Sequence, residues 1–383
     1  MGVVSITKRA GLALVFAAAG ASATVPAAAQ DAPRAVLLSS APLPGAPEGA
    51  SAHYIRYRSL GVNSAANDVT GVVILPDGPA RKEGRDVVAW AHGTWGVAEG
   101  CAPSQSPALF GSIAGLRELL AGGYAVVATD YAGLGTPGPH PYLAGDASAY
   151  AILDSVRAAQ GLGRGSIGRR TVIWGESQGA HAALWAAQLA GRYAPELQLA
   201  GVAAAAPPTD LKANLTGGTN PLIKALLTAY TTASWSQAYG IPLSTILGPV
   251  GQDLARRLAR NCVTTDPVAL RTKIGLFRFA RSLANVDISK SRPWAEQLRR
   301  NSVQPASLHV PTFIAQGTAD PVVAPSVTRR FVQRLCRGRS VPVRYYQIEG
   351  GDHFSVGKRS ADATIRWFAD RFTGMAAPDD CKL

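Results

Sequence analysis

The sequence predicts an α/β fold: a mostly parallel sheet with helices on both faces and an inserted helical cap. Three observations lead there. Short apolar, β-prone runs alternate with helical spacings, one such run breaks at Gly175-Glu176-Ser177-Gln178-Gly179 and resumes as an alanine-rich helix, and the strand rhythm stops between residues 209 and 305. About 350 residues are left once a leader is set aside, enough for one large domain with an insertion. The expected division is a signal over 1–29, a first core segment over 30–208, the cap over 209–305 and a second core segment over 306–383.

Lys8 and Arg9 precede an apolar stretch from Gly11 to Gly20 and then small residues ending in Ala27-Ala28-Ala29. That order is the pattern of an export signal, with cleavage after Ala29 and Ala23 as the competing site. The apolar core is too short to span a bilayer. The product is expected to be secreted or periplasmic.

Asp31 to Ala50, rich in Pro, Ala and Gly, is expected to be irregular. His53 to Leu60 alternates at period two and Val69 to Leu75 is a second β-rich run, which together predict a hairpin at a sheet edge. Asp86 to Ala91 is a buried strand emptying into His92-Gly93-Thr94-Trp95-Gly96. Tyr124 to Thr129 is the next strand. It leads into the rigid Gly- and Pro-rich loop Asp130 to Tyr142, expected to line the cleft. Asp146 to Gln160 has helical spacing at Ala149, Ile152, Leu153 and Val156.

Thr171 to Gly175 is then a buried strand, Ala180 to Ala190 a good helix former, and Ser177 sits on the turn between them. A serine on so sharp a turn needs strained backbone angles and nearly naked neighbours two residues away on either side. Gly175 and Gly179 meet that need. Leu199 to Ala206 is another strand.

The interrupted stretch carries helical patterns at Pro221 to Tyr230, Val250 to Arg260, Pro267 to Phe279 and Pro293 to Arg300. Its Trp235, Tyr239 and Trp294 could line an acyl pocket; filling the insertion's own core is the weightier alternative. Strands return at Val310 to Gln316 and Val343 to Ile348, each ending in a polar loop, and Ala361 to Phe372 closes the chain as an amphipathic helix.

Serine at neutral pH is a weak nucleophile and needs a base, held in turn by an acid. Where an elbow of this kind carries the serine, the partners follow as acid and then histidine, each on a loop after a strand. Asp320 and His353 fit that order. Of the other histidines, His53 is in an edge strand, His92 suits an oxyanion loop, His140 is in the proline loop and His309 precedes a strand. His181 lies one turn into the helix that leads away from Ser177 and reads as structural. Asp210 is the second choice of acid, and Asp352 adjoins the histidine too closely to aim at it. The oxyanion donors are the N–H groups of Gln178 and Thr94. The competing reading of the 92–96 loop is a plain turn with His92 packed beneath it.

Ala91-His92-Gly93-Thr94, the Thr129 to Gly135 loop with its Pro-Gly-Pro-His-Pro-Tyr tail, the elbow, Gly317-Thr318-Ala319-Asp320-Pro321-Val322 and Gly350-Gly351-Asp352-His353-Phe354 occur here as one ordered set. In that set the sequence resembles the secretory lipase family of the α/β-hydrolase superfamily. The resemblance implies Ser177 as nucleophile, His353 as base, Asp320 as orienter and a cap over an acyl-binding pocket. The cap itself matches poorly. The expected activity is serine carboxylester hydrolysis without a cofactor, on small-molecule or lipid esters. A serine peptidase of the same fold and a non-catalytic apolar-ligand binder are the alternatives.

The formal charge is +13, lowered by the two charges of Lys8 and Arg9 if the leader is removed. The arginines are scattered through helical stretches without interleaved aromatics, which argues against nucleic acid and leaves transient contact with a lipid interface or an anionic envelope surface. Cys101, Cys262, Cys336 and Cys381 form an even set without metal-ligand spacing. Cys101–Cys262 and Cys336–Cys381 are the favoured bridges among three connectivities.

Overall fold

The computed structural model describes residues 1–3, 37–163, 165–217, 219–263, 270–284, 286–338 and 341–382. Contacts separate Met1–Arg34 from Ala35–Leu383, and of the first unit only residues 1–3, exposed and without regular structure, are described. The expected export signal therefore lies outside the described residues beyond its first three.

The second unit is built on a nine-stranded sheet. Strand β1 (Leu37–Pro42), β2 (Ala50–Leu60) and β3 (Ala66–Pro76) form an antiparallel edge. Next come β4 (Arg85–Ala91), the short helices α1 (Leu109–Ser112) and α2 (Leu116–Ala121), and β5 (Ala125–Thr129), which joins β3 antiparallel and β4 parallel. Helix α3 (Gly145–Gly163), β6 (Ile167–Glu176), α4 (Gln178–Tyr193) and β7 (Gln198–Ala205) follow. From β5 onward every remaining pairing is parallel, in the order β5-β4-β6-β7-β8-β9. Here β8 is Thr312–Gly317 and β9 is Val343–Ile348, with α10 (Pro325–Gly338) between them and α11 (Val356–Phe372) after.

Period two decides which face each strand residue serves. Val87, Ala89 and Ala91 point into a core shared with α3, α4 and α10, whereas Val88 and Trp90 point into one shared with α1, α2 and α11. Both faces of the central strands are therefore dry, which is why they read as unbroken apolar runs rather than alternating ones. The sheet is covered on both sides, as expected.

Between β7 and β8 the chain is helical, through α5 (Leu211–Gly217), α6 (Pro221–Ala238), α7 (Pro249–Leu258), α8 (Leu270–Ser282) and α9 (Arg292–Asn301). These helices bury their own core, which also takes in Tyr142 and Leu143 of the proline loop. Trp235 and Trp294 are fully buried there and stack at 6.5 Å. Tyr239 packs edge-on against Trp235. The three aromatics thus belong to the core of the helical region, Trp235 and Trp294 inside it and the half-buried Tyr239 packed against it.

The lead-in is a correction. Leu37–Pro42 is a strand, not irregular chain, although five of its six side chains are exposed. Its place is set by backbone pairing with β2, which leaves no apolar pattern to read. Cys101–Cys262 and Cys336–Cys381 are the two bridges.

Candidate active site

From β4 the chain passes to β5 on one side and then crosses back over β4 to β6 on the other, so the direction of winding reverses at β4. Such a reversal opens a crevice beyond the carboxyl ends of the strands, where open α/β sheets place their ligands. The loops after β4, β6, β8 and β9 all reach this end.

Ser177 follows β6 with φ 52° and ψ −115°, outside the angles a side chain favours. The glycines on either side are needed for space. A Cβ on Gly175 would lie 2.1 Å from the Gly179 carbonyl oxygen, and one on Gly179 would lie 1.8 Å from that of Ala91. The elbow is thus packed backbone on backbone, and Ser177 is pushed outward at its apex.

His353 Nε2 lies 2.9 Å from Ser177 Oγ, and His353 Nδ1 lies 2.8 Å from Asp320 Oδ2. A carboxylate can only accept, so Nδ1 carries the proton and Nε2 is the acceptor for the serine hydroxyl. Asp320 is held on all sides: Oδ1 accepts from the N–H groups of Val322 and Val323, both at 2.8 Å, and Oδ2 accepts from Gln316 Nε2 at 3.1 Å. The loops bearing Asp320 and His353 are stitched together, Ala319 N–H donating to the Gly351 carbonyl at 3.0 Å and Gly350 N–H to Thr318 Oγ1 at 2.9 Å. Gly317 leaves the room for this, since a Cβ there would lie 2.2 Å from the Gly351 oxygen.

The loop after β4 runs beside the serine. A Cβ built on Gly93 would stand 3.9 Å from Ser177 Cβ. Among the described residues, the N–H groups of Thr94 and Gln178 have no acceptor, the latter as the first residue of α4. His92 is packed beneath the loop, its ring 4.5 Å from that of Tyr131, with burial pulling its pKa down. The turn reading and the oxyanion reading of this loop are therefore compatible.

The other candidates are placed elsewhere. Asp210 Oδ1 accepts from Ala213 N–H at 2.9 Å and caps α5. Asp352 is exposed and bonded to Ser355. His181 is buried and bonded through Nε2 to the Asn301 carbonyl at 2.7 Å, in agreement with a structural part.

Sequence reasoning missed how the proline loop grips the site. His140 is buried, desolvation lowers its pKa to about 4, and its Nδ1–H donates to the Ala132 carbonyl at 2.9 Å. Its Nε2 is left to accept from Gln178 Nε2 at 3.0 Å. Tyr142 Oη is 2.8 Å from Thr94 Oγ1, and Ser234 and Trp235 of α6 hold the loop through the carbonyls of His140 and Tyr142. Thr94 and Gln178 are thus both braced, through their side chains, from one loop. Gln316 was also missed; a lone amide in an apolar strand was the available signal.

A family model for secretory lipases matches residues 112–380. The chain is 25% identical over 347 residues to a probable inactive lipase of Mycobacterium tuberculosis, covering 87% of this chain and 76% of that protein. It is 28% identical over 241 residues to a secreted triacylglycerol lipase of Malassezia furfur, covering 57% of this chain and 42% of that one, so it spans less than half of that relative. The solved structure of Candida antarctica lipase A superposes with a TM-score of 0.74 at 21% identity, over 91% of this chain and 84% of that one. At that identity the likeness speaks for the fold alone.

Proposed function

From the premise that the chain belongs to the secretory lipase family, a family of carboxylic ester hydrolases, we propose that it is a secreted lipase or esterase working through an acyl-enzyme on Ser177. One observation carries the reading: a single hydrogen-bonded line runs from Ser177 Oγ through His353 to Asp320. It starts at a serine whose backbone is held in a strained turn. A binding protein has no use for that strain.

Ser177 Oγ attacks the ester carbonyl carbon while His353 Nε2 takes its proton. The negative charge collects on the carbonyl oxygen, which the N–H groups of Thr94 and Gln178 are free to receive. The C–O bond to the alcohol then breaks, and His353 returns the proton to the leaving oxygen. Water repeats the sequence against the acyl-enzyme and frees the acid. Asp320 keeps the imidazole in the tautomer that both halves need and stabilises the imidazolium between them. Export is supported by the family, by the leader-like N-terminal sequence and by two disulfides, which persist in oxidising compartments. A mycobacterial relative carries inactivity in its name; in this chain Ser177 and Asp320 both stand within hydrogen-bond distance of His353, which supports an active reading here.

The test is hydrolysis of p-nitrophenyl esters from two to sixteen carbons by the protein and by Ser177→Ala. Turnover by the protein alone supports the reading, and the chain-length optimum separates lipase from esterase. Equal activity in Ser177→Ala, or no ester hydrolysis by either, overturns it.

A further inference from the structure

Three of the large apolar side chains exposed on Ala35–Leu383 fall on one helix: Leu270, Ile274 and Phe277 of α8, with 74%, 51% and 58% of their surface open. Their spacing of four and then three residues puts them in one stripe. The opposite side of α8 is spent on the helical core through Leu276 and Phe279. The stripe is therefore surplus to the packing of the fold.

Charge gives the stripe its direction. Arg271 and Arg278 flank it on one side, Lys273 on the other, and Arg281 extends it by a turn; the helix has no acidic residue. Among the described residues none of these four cations pairs with a carboxylate. On neighbouring α7, by contrast, Arg257 is paired with Asp253. An ordinary solvated face mixes both signs and few large apolar groups. An apolar stripe edged only by cations matches a helix lying in the headgroup layer of an anionic membrane, its apolar groups reaching the acyl boundary and its cations meeting phosphates.

We propose that the outward face of α8 docks this protein on anionic phospholipid bilayers, independently of turnover. The test is flotation of the Ser177→Ala protein, which cannot digest the lipid, with phosphatidylcholine vesicles and with vesicles containing about 30% phosphatidylglycerol. Binding is expected to the second only, and to fall at least tenfold in about 0.5 M salt. Ile274→Ser with Phe277→Ser should weaken it about tenfold or more. Arg271→Gln with Arg278→Gln should weaken it roughly twenty-five-fold, about fivefold for each cation. Both pairs, placed in the serine-containing protein, should leave hydrolysis of a soluble short ester within about twofold, which also shows that they fold. Equal binding to neutral vesicles, no binding to either, or variants that float like the parent overturn the proposal. So does a dimer abolished by the serine substitutions, which would make the stripe a contact between copies. Failure of ester hydrolysis would sink the catalytic reading and leave the flotation result standing.

Discussion

The side-chain amide of Gln178, the residue after the proposed nucleophile, donates to Nε2 of His140 across 3.0 Å, thirty-eight residues away in sequence. His140 can accept only while neutral, and burial that lowers its pKa to about 4 keeps it so through the physiological range. The proline loop thereby fixes the first turn of α4, whose N–H is the proposed oxyanion donor.

His140→Leu should lower kcat by roughly ten- to a hundredfold, less than outright loss of an oxyanion donor, which costs 10² to 10³. KM should stay within about twofold, because an interaction made in the transition state is what weakens. His140→Gln, which can accept through its carbonyl, should recover part of the loss. An unchanged kcat in His140→Leu would show that the Gln178 N–H needs no bracing.

Glu176, one residue before the serine, is pressed against Gly357 in the first turn of α11, and its Oε1 is sealed from solvent with no hydrogen-bond partner. Burial raises its pKa from 4.5 to about 7, against the opposing pull of the Lys358 charge. The sign follows from which state holds the proton. Below about pH 4.5 the folded and unfolded chains are both protonated and nothing is lost; between 4.5 and about 7 the unfolded chain ionises while the fold keeps its proton, so stability falls as pH rises. The full penalty, at most about 3 kcal/mol because the side chain retains some solvent contact, stands above pH 7. Glu176→Gln should therefore raise Tm relative to the parent more at pH 8 than at pH 5, measured by thermal unfolding. A constant difference at the two pH values would mean that Glu176 ionises freely.

The two disulfides should separate by function. Cys101–Cys262 closes a separation of 161 residues and Cys336–Cys381 one of 45, so chain entropy gives them about 5 and about 4 kcal/mol respectively. Only the first lies against the site. A Cβ on Gly96 would lie 2.6 Å from Cys101 Sγ, and Val263 N–H donates to the Trp95 carbonyl at 2.8 Å, which ties the segment after Thr94 to the helical region. Cys101→Ser with Cys262→Ser should lower both urea stability and kcat/KM; Cys336→Ser with Cys381→Ser should lower stability alone. Equal effects on kcat/KM would dissociate the bridge from the site.

What the sequence made legible follows from where the information sits. Ser177, Asp320 and His353 each stand on a loop beyond the carboxyl end of a strand, after β6, β8 and β9 in turn, and the structure puts Ser177 and Asp320 both within hydrogen-bond reach of His353. Strand β1 was invisible because its side chains face solvent and only its backbone has a partner. Helices α1, α2 and α5 are four, six and seven residues long, too short for a 3.6-residue period to stand out. The role of His140 depends on a contact between a loop and a helix that no local pattern encodes. Trp235 and Trp294 were recognisable as apolar mass in the helical region, but their destination is a packing question that composition leaves open.

Gln316 offers a last test, because it is the one amide in the buried run of β8 and its side chain is fully used. Nε2 donates to Asp320 Oδ2 at 3.1 Å, and Oε1 accepts from Thr328 Oγ1 at 2.6 Å. Gln316→Leu keeps the volume but removes a donor from Asp320 and strands the Thr328 hydroxyl in the core. The stranded hydroxyl should cost about 1–3 kcal/mol, and kcat should drop roughly tenfold as Asp320 gains freedom to turn from His353. Adding Thr328→Val removes the orphaned hydroxyl, so the double variant should recover most of the stability and none of the rate. Recovery of both together would mean that the rate loss in Gln316→Leu came from a loosened fold; recovery of stability alone would identify Gln316 as a residue that positions the acid, beside the N–H groups of Val322 and Val323.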